Sequence, residues 1–128
     1  MNIGYHRDLE LSIDAADARV RETLAAEGFG VLTEIDVQAT LKEKLNVDFR
    51  PYRILGACHP PTAFRALSIK PEVGLLLPCN VTVSANDDGT VRVAAIDAEI
   101  MLKVVDSPEL AEVAAEVNAA LRRAVDAV

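Results

Sequence analysis

Two short segments hold the residue types that could do chemistry. Leu55-Gly56-Ala57-Cys58-His59-Pro60 brings a thiol and an imidazole to a strand-to-helix junction, and Leu77-Pro78-Cys79-Asn80 sets a second thiol beside a proline. The partial positive charge at a helix N-terminus stabilises a thiolate, so Cys58 is where an activated cysteine is expected. A proline cannot donate to a strand ladder, so Pro78 implies an edge or a bulge, features that re-aim nearby side chains.

Three readings of Cys58, His59 and Cys79 stay open at this level. Cysteine is a small, commonly buried residue and His59 can serve as a helix cap, which makes the set structural. Two thiolates and an imidazole also form a soft metal-ligand set, although 20 intervening residues between the cysteines are unlike paired metal-binding spacing. Alternatively, Cys58 is a nucleophile or redox thiol with Cys79 as its resolving partner, which requires Cα atoms within ~7 Å.

The remaining candidates are weaker. Lys42, Lys44, Arg50, Arg53, Arg65 and Lys70 gather in mid-chain. They read either as a solvated face with the exposed flank of a strand or as a pocket for a small anion at the N-terminus of the helix following Cys58, Arg53 being the candidate among them. His6 sits among charged neighbours, and Asp97 and Glu99 have no matched partner. No glycine-rich phosphate loop, paired-histidine zinc motif or nucleophile elbow is present, which disfavours nucleotide-driven and standard hydrolase mechanisms.

Composition narrows the rest. The chain has 128 residues, 51% of them hydrophobic, and a net charge of −7. That suits one globular domain, residues 1–128, and excludes a disordered chain. The acidic balance argues against nucleic acid or anionic lipid as partner. No apolar run reaches the ~18 residues of a spanning helix, and Met1–Glu10 lacks a secretory core. A cytoplasmic protein with reduced thiols is expected.

The positioning elements follow from pattern and punctuation. Tyr5–Ile13 reads as a strand, and Asp14 as the N-cap of a helix over 15–27 with the stripe Ala16, Val20, Leu24. Gly28 ends that helix. Gly30–Asp36 is a strand with Val31, Thr33 and Ile35 on one face. Asp36 caps a helix over 37–46, whose Val37, Leu41 and Leu45 form another i, i+4 stripe. Tyr52–Ala57 is a strand, and Pro60-Pro61 opens a short helix with Ala63, Phe64 and Leu67 inward. Val73–Ala85 reads as one largely buried strand, turning through Asn86-Asp87-Asp88-Gly89 into the strand Val91–Ile96. Residues 97–105 are ambiguous, and Ser107-Pro108-Glu109 starts an amphipathic helix running to the C-terminus. The order β-α-β-α-β-α-β-β-α closes on a hairpin, so the expected class is α+β: a two-layer sandwich of helices on a mainly antiparallel sheet.

Three stretches, Glu27–Asp36, Tyr52–Cys58 and Gly74–Val81, resemble the bacterial and archaeal family called domain of unknown function 302. The likeness runs over nearly the whole chain. It implies a small α+β domain with a curved antiparallel sheet, similar to the TATA-binding-protein architecture, and a homodimer; it implies no established activity. Cys58, Pro60, Pro78, Cys79 and Asn80 match the family pattern, whereas His59 stands where the family carries Asn. The expected function is a dimeric small-ligand-binding or sensing module. Its pocket would lie near the start of the Cys58 helix and the Pro78-Cys79-Asn80 strand, with a thiol- or metal-dependent redox enzyme or a siteless interaction module as alternatives. No cofactor is implied.

Overall fold

The computed structural model describes residues 2–128 and forms the expected two-layer α+β sandwich. Five strands, β1 (Gly4–Leu9), β2 (Gly30–Asp36), β3 (Tyr52–Cys58), β4 (Cys79–Ala85) and β5 (Val91–Ile96), form one antiparallel sheet in the order β1-β5-β4-β3-β2. The sheet is open, with β1 and β2 at its two edges. Helices α1 (Ile13–Ala26), α3 (Pro60–Ile69), α4 (Ala98–Lys103) and α5 (Pro108–Asp126) build the other layer.

The core lies between these layers. Strand alternation turns Leu55, Val81, Val83, Val93 and Ala95 inward, where they meet Ala16, Val20 and Leu24 of α1 and Leu110, Val113, Leu121 and Ala124 of α5. Helix α5 packs on α1, α3, α4, β1 and β5, so its apolar stripe touches most of the fold. Burying each of these leucines is worth roughly 1.5–3 kcal/mol.

Several local expectations are corrected. Ser12 rather than Asp14 caps α1, its hydroxyl accepting from the Ala15 N–H at 3.1 Å, because β1 ends at Leu9 and leaves room for a turn. Gly28 ends α1 in the left-handed region at φ 85°, with the Phe29 N–H donating back to the Leu24 carbonyl. A bulge between Val31 and Thr33 breaks the alternation expected of β2, an edge strand that is mostly exposed. Helix α2 (Val37–Leu45) buries no residue, and Leu45 of its stripe is exposed.

The longest correction concerns Val73–Ala85. Its first half is a 3-10 helix, Pro71–Leu76, and only Cys79–Ala85 is strand. Pro71 favours a helical start, and Pro78, joined to Leu77 by a cis peptide bond, offers the ladder no N–H. The triple leucine is therefore not a buried strand: Leu75 is 89% exposed. In α3 the inward residues are Thr62 and Ala66, while Phe64 and Leu67 are exposed. Small residues let this helix approach its neighbours closely. The ambiguous stretch 97–105 holds α4, capped by the Asp97 carboxylate.

Candidate functional site

The two cysteine segments meet at one end of the sheet. Strand β3 runs out through Ala57 and Cys58 into α3, and β4 begins at Cys79, whose register partner is Ala57. His59 is the N-cap of α3: its Nδ1 lies 2.9 Å from the Thr62 hydroxyl and accepts from the Thr62 N–H at 3.4 Å. Its ring tilts against Phe29 at 5.3 Å between centroids. A Cβ on Gly28 would come within 3.1 Å of His59 Nε2, so the glycine that ends α1 also makes room for this imidazole.

These residues line a cavity of about 300 Å³ between the sheet end and α3, α4 and α5. The sheet contributes Ala57, Cys58 and Cys79; the helices contribute Ala63, Ala66, Met101, Leu102, Val113 and Val117. Phe29, Leu32 and Thr33 close it from the β2 side, and Leu77-Pro78 from the segment before β4. None of the lining side chains is Lys, Arg, Asp or Glu. Leu32 is 69% exposed and Thr33 is exposed, which puts the opening beside the β2 edge.

The thiols differ. Cys79 is buried, and desolvation, with a smaller contribution from nearby Cys58, pushes its pKa up to about 11. At neutral pH it is a protonated, apolar wall element. Cys58 is half-buried and both cysteines are free. Among the described residues no group of three or more His, Cys, Asp or Glu is placed to hold a metal ion, so the Cys58, His59, Cys79 ligand set does not form. His59 already commits Nδ1 to its own helix.

The other sequence candidates stand elsewhere. Arg53 is paired with Asp14 at 2.6 Å and Asp17 at 3.1 Å, on the side of α1. Arg50 binds Asp87, Lys42 binds Asp48 and Arg65 binds Glu116, so the mid-chain bases are dispersed among separate acids. No Lys or Arg lines the cavity. Pro60 is exposed at the first turn of α3. Asn80 is exposed opposite Gly56 and borders a shallow trough on the uncovered face of the sheet. Phe29, Met101 and the α5 valines escape sequence reasoning because their apolar periodicity is that of ordinary core; only the Gly28-Phe29-Gly30 punctuation singles out Phe29.

Helix α4 is held for this role by a small polar network. Asn118, buried on α5, accepts from the Ala98 N–H at 2.7 Å and donates to Asp97 at 2.9 Å. Burial pushes the Asp97 carboxyl up, and hydrogen bonds from Asn118, Ile100 and Glu99 outweigh it, leaving the pKa below its ordinary value.

The family model described as domain of unknown function DUF302 matches residues 5–128. Among solved structures, the crystal structure of an uncharacterized conserved protein DUF302 from Bacillus stearothermophilus is similar at 31% identity and a TM-score of 0.91, with 98% of each chain covered. No curated protein matches the chain.

Proposed function

The chain belongs to the DUF302 family, and we propose that it binds a small, mostly apolar molecule in the cavity at the sheet end. The observation that carries this is the lining: about 300 Å³ of space walled chiefly by apolar side chains, with no Lys, Arg, Asp or Glu among them. Ligand pockets fall at this size and polarity, whereas ordinary interiors hold few voids larger than a water molecule. An apolar cavity of ~150 Å³ stays dry and takes up benzene, so this one suits a guest of roughly bicyclic size. The proposal places the chain in the cytoplasm, where its two thiols stay reduced.

Thermal unfolding with small neutral aromatics tests the reading. A binder at ten times its dissociation constant stabilises by ~1.4 kcal/mol, several degrees for a chain of this length. Ala63→Phe, at a half-buried lining position, fills the space and is expected to abolish the shift while leaving the ligand-free midpoint within a few degrees. A wild-type chain whose midpoint no neutral aromatic raises overturns the reading.

A homodimer belongs to the same proposal. The helices cover one side of the sheet, and the other carries Ile35, Ile54, Thr82 and Ala94 in one register row, exposed or half-buried. An antiparallel sheet can leave one face to water, but the adjacent Ile35 and Ile54 side chains there offer apolar area to a partner.

A further inference from the structure

The imidazole of His59 is the strongest polar group on the cavity wall that the chain leaves unpartnered. We propose that the cavity takes a molecule whose polar group is a neutral hydrogen-bond acceptor, such as a ketone, quinone or lactone carbonyl, and that the His59 Nε2–H donates to it; this rests on the cavity being a binding site.

The position of the imidazole proton follows from the helix cap. Pro60 and Pro61 supply no N–H to the first turn of α3, and the Ala63 N–H donates to the His59 carbonyl at 2.9 Å. Thr62 therefore holds the one N–H of this turn that needs a cap, and Nδ1 accepts it at 3.4 Å. A proton on Nδ1 would point at that N–H and at the positive end of the helix. The Thr62 hydroxyl, 2.9 Å from Nδ1 and 3.1 Å from the His59 carbonyl oxygen, can turn its own proton to either. The neutral ring then carries its proton on Nε2, as a donor.

Nε2 makes no hydrogen bond among the described residues. Its ring edge faces Gly28, where a Cβ would stand 3.1 Å away, so the glycine leaves that edge uncovered. His59 also borders a small cleft of about 90 Å³ beside the cavity. Two acids line that cleft and both are engaged, Glu27 with Arg123 and Glu116 with Arg65, each at 2.8 Å. Phe29, His59, Thr62 and Val117 line cavity and cleft alike, so the imidazole stands where the two spaces meet. A carbonyl on a guest in the cavity would reach Nε2 at this junction.

The other side-chain groups compete poorly. Cys58 and Cys79 are free thiols on the cavity wall and only weak donors. The Thr62 hydroxyl is taken up by the cap. The Thr33 hydroxyl lies over Gly56, on the sheet face away from the helices. The strong group is thus a donor, and a guest whose own polar group is a donor would set one N–H or O–H against another. One neutral hydrogen bond corresponds to about five-fold in affinity.

Indene, indole and 1-indanone share one fused bicyclic frame and carry, in turn, no hydrogen-bonding group, a donor and an acceptor. Titrated calorimetrically into the full chain at pH 8, 1-indanone is expected to bind tightest, with indene about five-fold weaker and indole no tighter than indene. His59→Asn keeps a side-chain oxygen to cap the Thr62 N–H, and is expected to bring 1-indanone down to the level of indene. Nitrogen-15 imidazole spectra of the wild type give a readout that needs no variant, with His6 the only other histidine. They should show Nδ1 bare, the proton on Nε2, and an Nε2–H resonance that 1-indanone shifts and indene does not. A proton on Nδ1, 1-indanone binding no tighter than indene or indole, or an advantage that survives His59→Asn overturns the proposal while the cavity reading stands. Failure of all three to bind overturns both.

Discussion

At the scale of single residues, the site is a matter of which atoms are missing as much as which are present. Gly56 leaves the space that Thr33 occupies. Gly56→Ala is therefore expected to destabilise by ~1–3 kcal/mol, the usual range for overpacking. Denaturant titration should show part of that loss recovered in a Thr33→Ala background, with the remainder set by Pro78; equal losses in both backgrounds would sever the link between the two residues. The cysteines make a second prediction. With its pKa raised to about 11, Cys79 is protonated at pH 8 and buried, so iodoacetamide should modify Cys58 first and reach Cys79 only on unfolding. Peptide mass mapping after timed labelling decides it, and early modification of Cys79 would contradict its burial. Cys58, His59 and Cys79 were legible in the sequence as a group because each stands at a junction marked by proline. Arg53 was not placeable, since its ion pairs come from α1, a partner distant in sequence.

At the scale of elements, punctuation was legible and packing was not. Ser107-Pro108, Gly28 and the Asn86–Gly89 turn each end or start an element by local chemistry, and each does so in the fold. The Leu75-Leu76-Leu77 run misled because a short apolar stretch has no period of its own; only the sheet decides whether it is strand. Helix α4 was ambiguous for a related reason. It has six residues, too few to be stable alone, and depends on Asn118 from α5. Asn118→Leu should strand the Ala98 N–H and cost ~1–3 kcal/mol. Because α4 supplies Met101 and Leu102 to the cavity wall, the same variant should weaken binding of a cavity ligand and speed amide exchange across residues 98–103. Unchanged exchange there would detach α4 from this network.

At the scale of the whole molecule, acid should act through a few carboxylates held by partners. Asp8, hydrogen-bonded by Arg92 and Asn86, has its pKa lowered to about 2, and Asp97 and Asp88 are also lowered. A depressed carboxyl adds stability that is complete above its unfolded value of ~4 and disappears as pH falls through the folded value. The thermal midpoint should therefore drop below pH 4 and keep falling toward pH 2, and Asp8→Asn should flatten the lower part of that slope. The sandwich as a class was legible because a closing hairpin forbids a purely parallel sheet, but strand order was not, since periodicity along a strand carries no information about its neighbours. That order has a consequence for assembly in time. β1 precedes the other four strands along the chain, yet its sheet partner is β5, with Asp8 and Arg92 84 positions apart. Arg7 donates to carbonyls of Val125, Asp126 and Val128, at the far end of α5. β1 must then stay unpaired in the sheet until β5, joined to β4 by the Asn86–Gly89 turn, is in place. A pulse of deuterium during refolding should find β1 the last strand to gain protection.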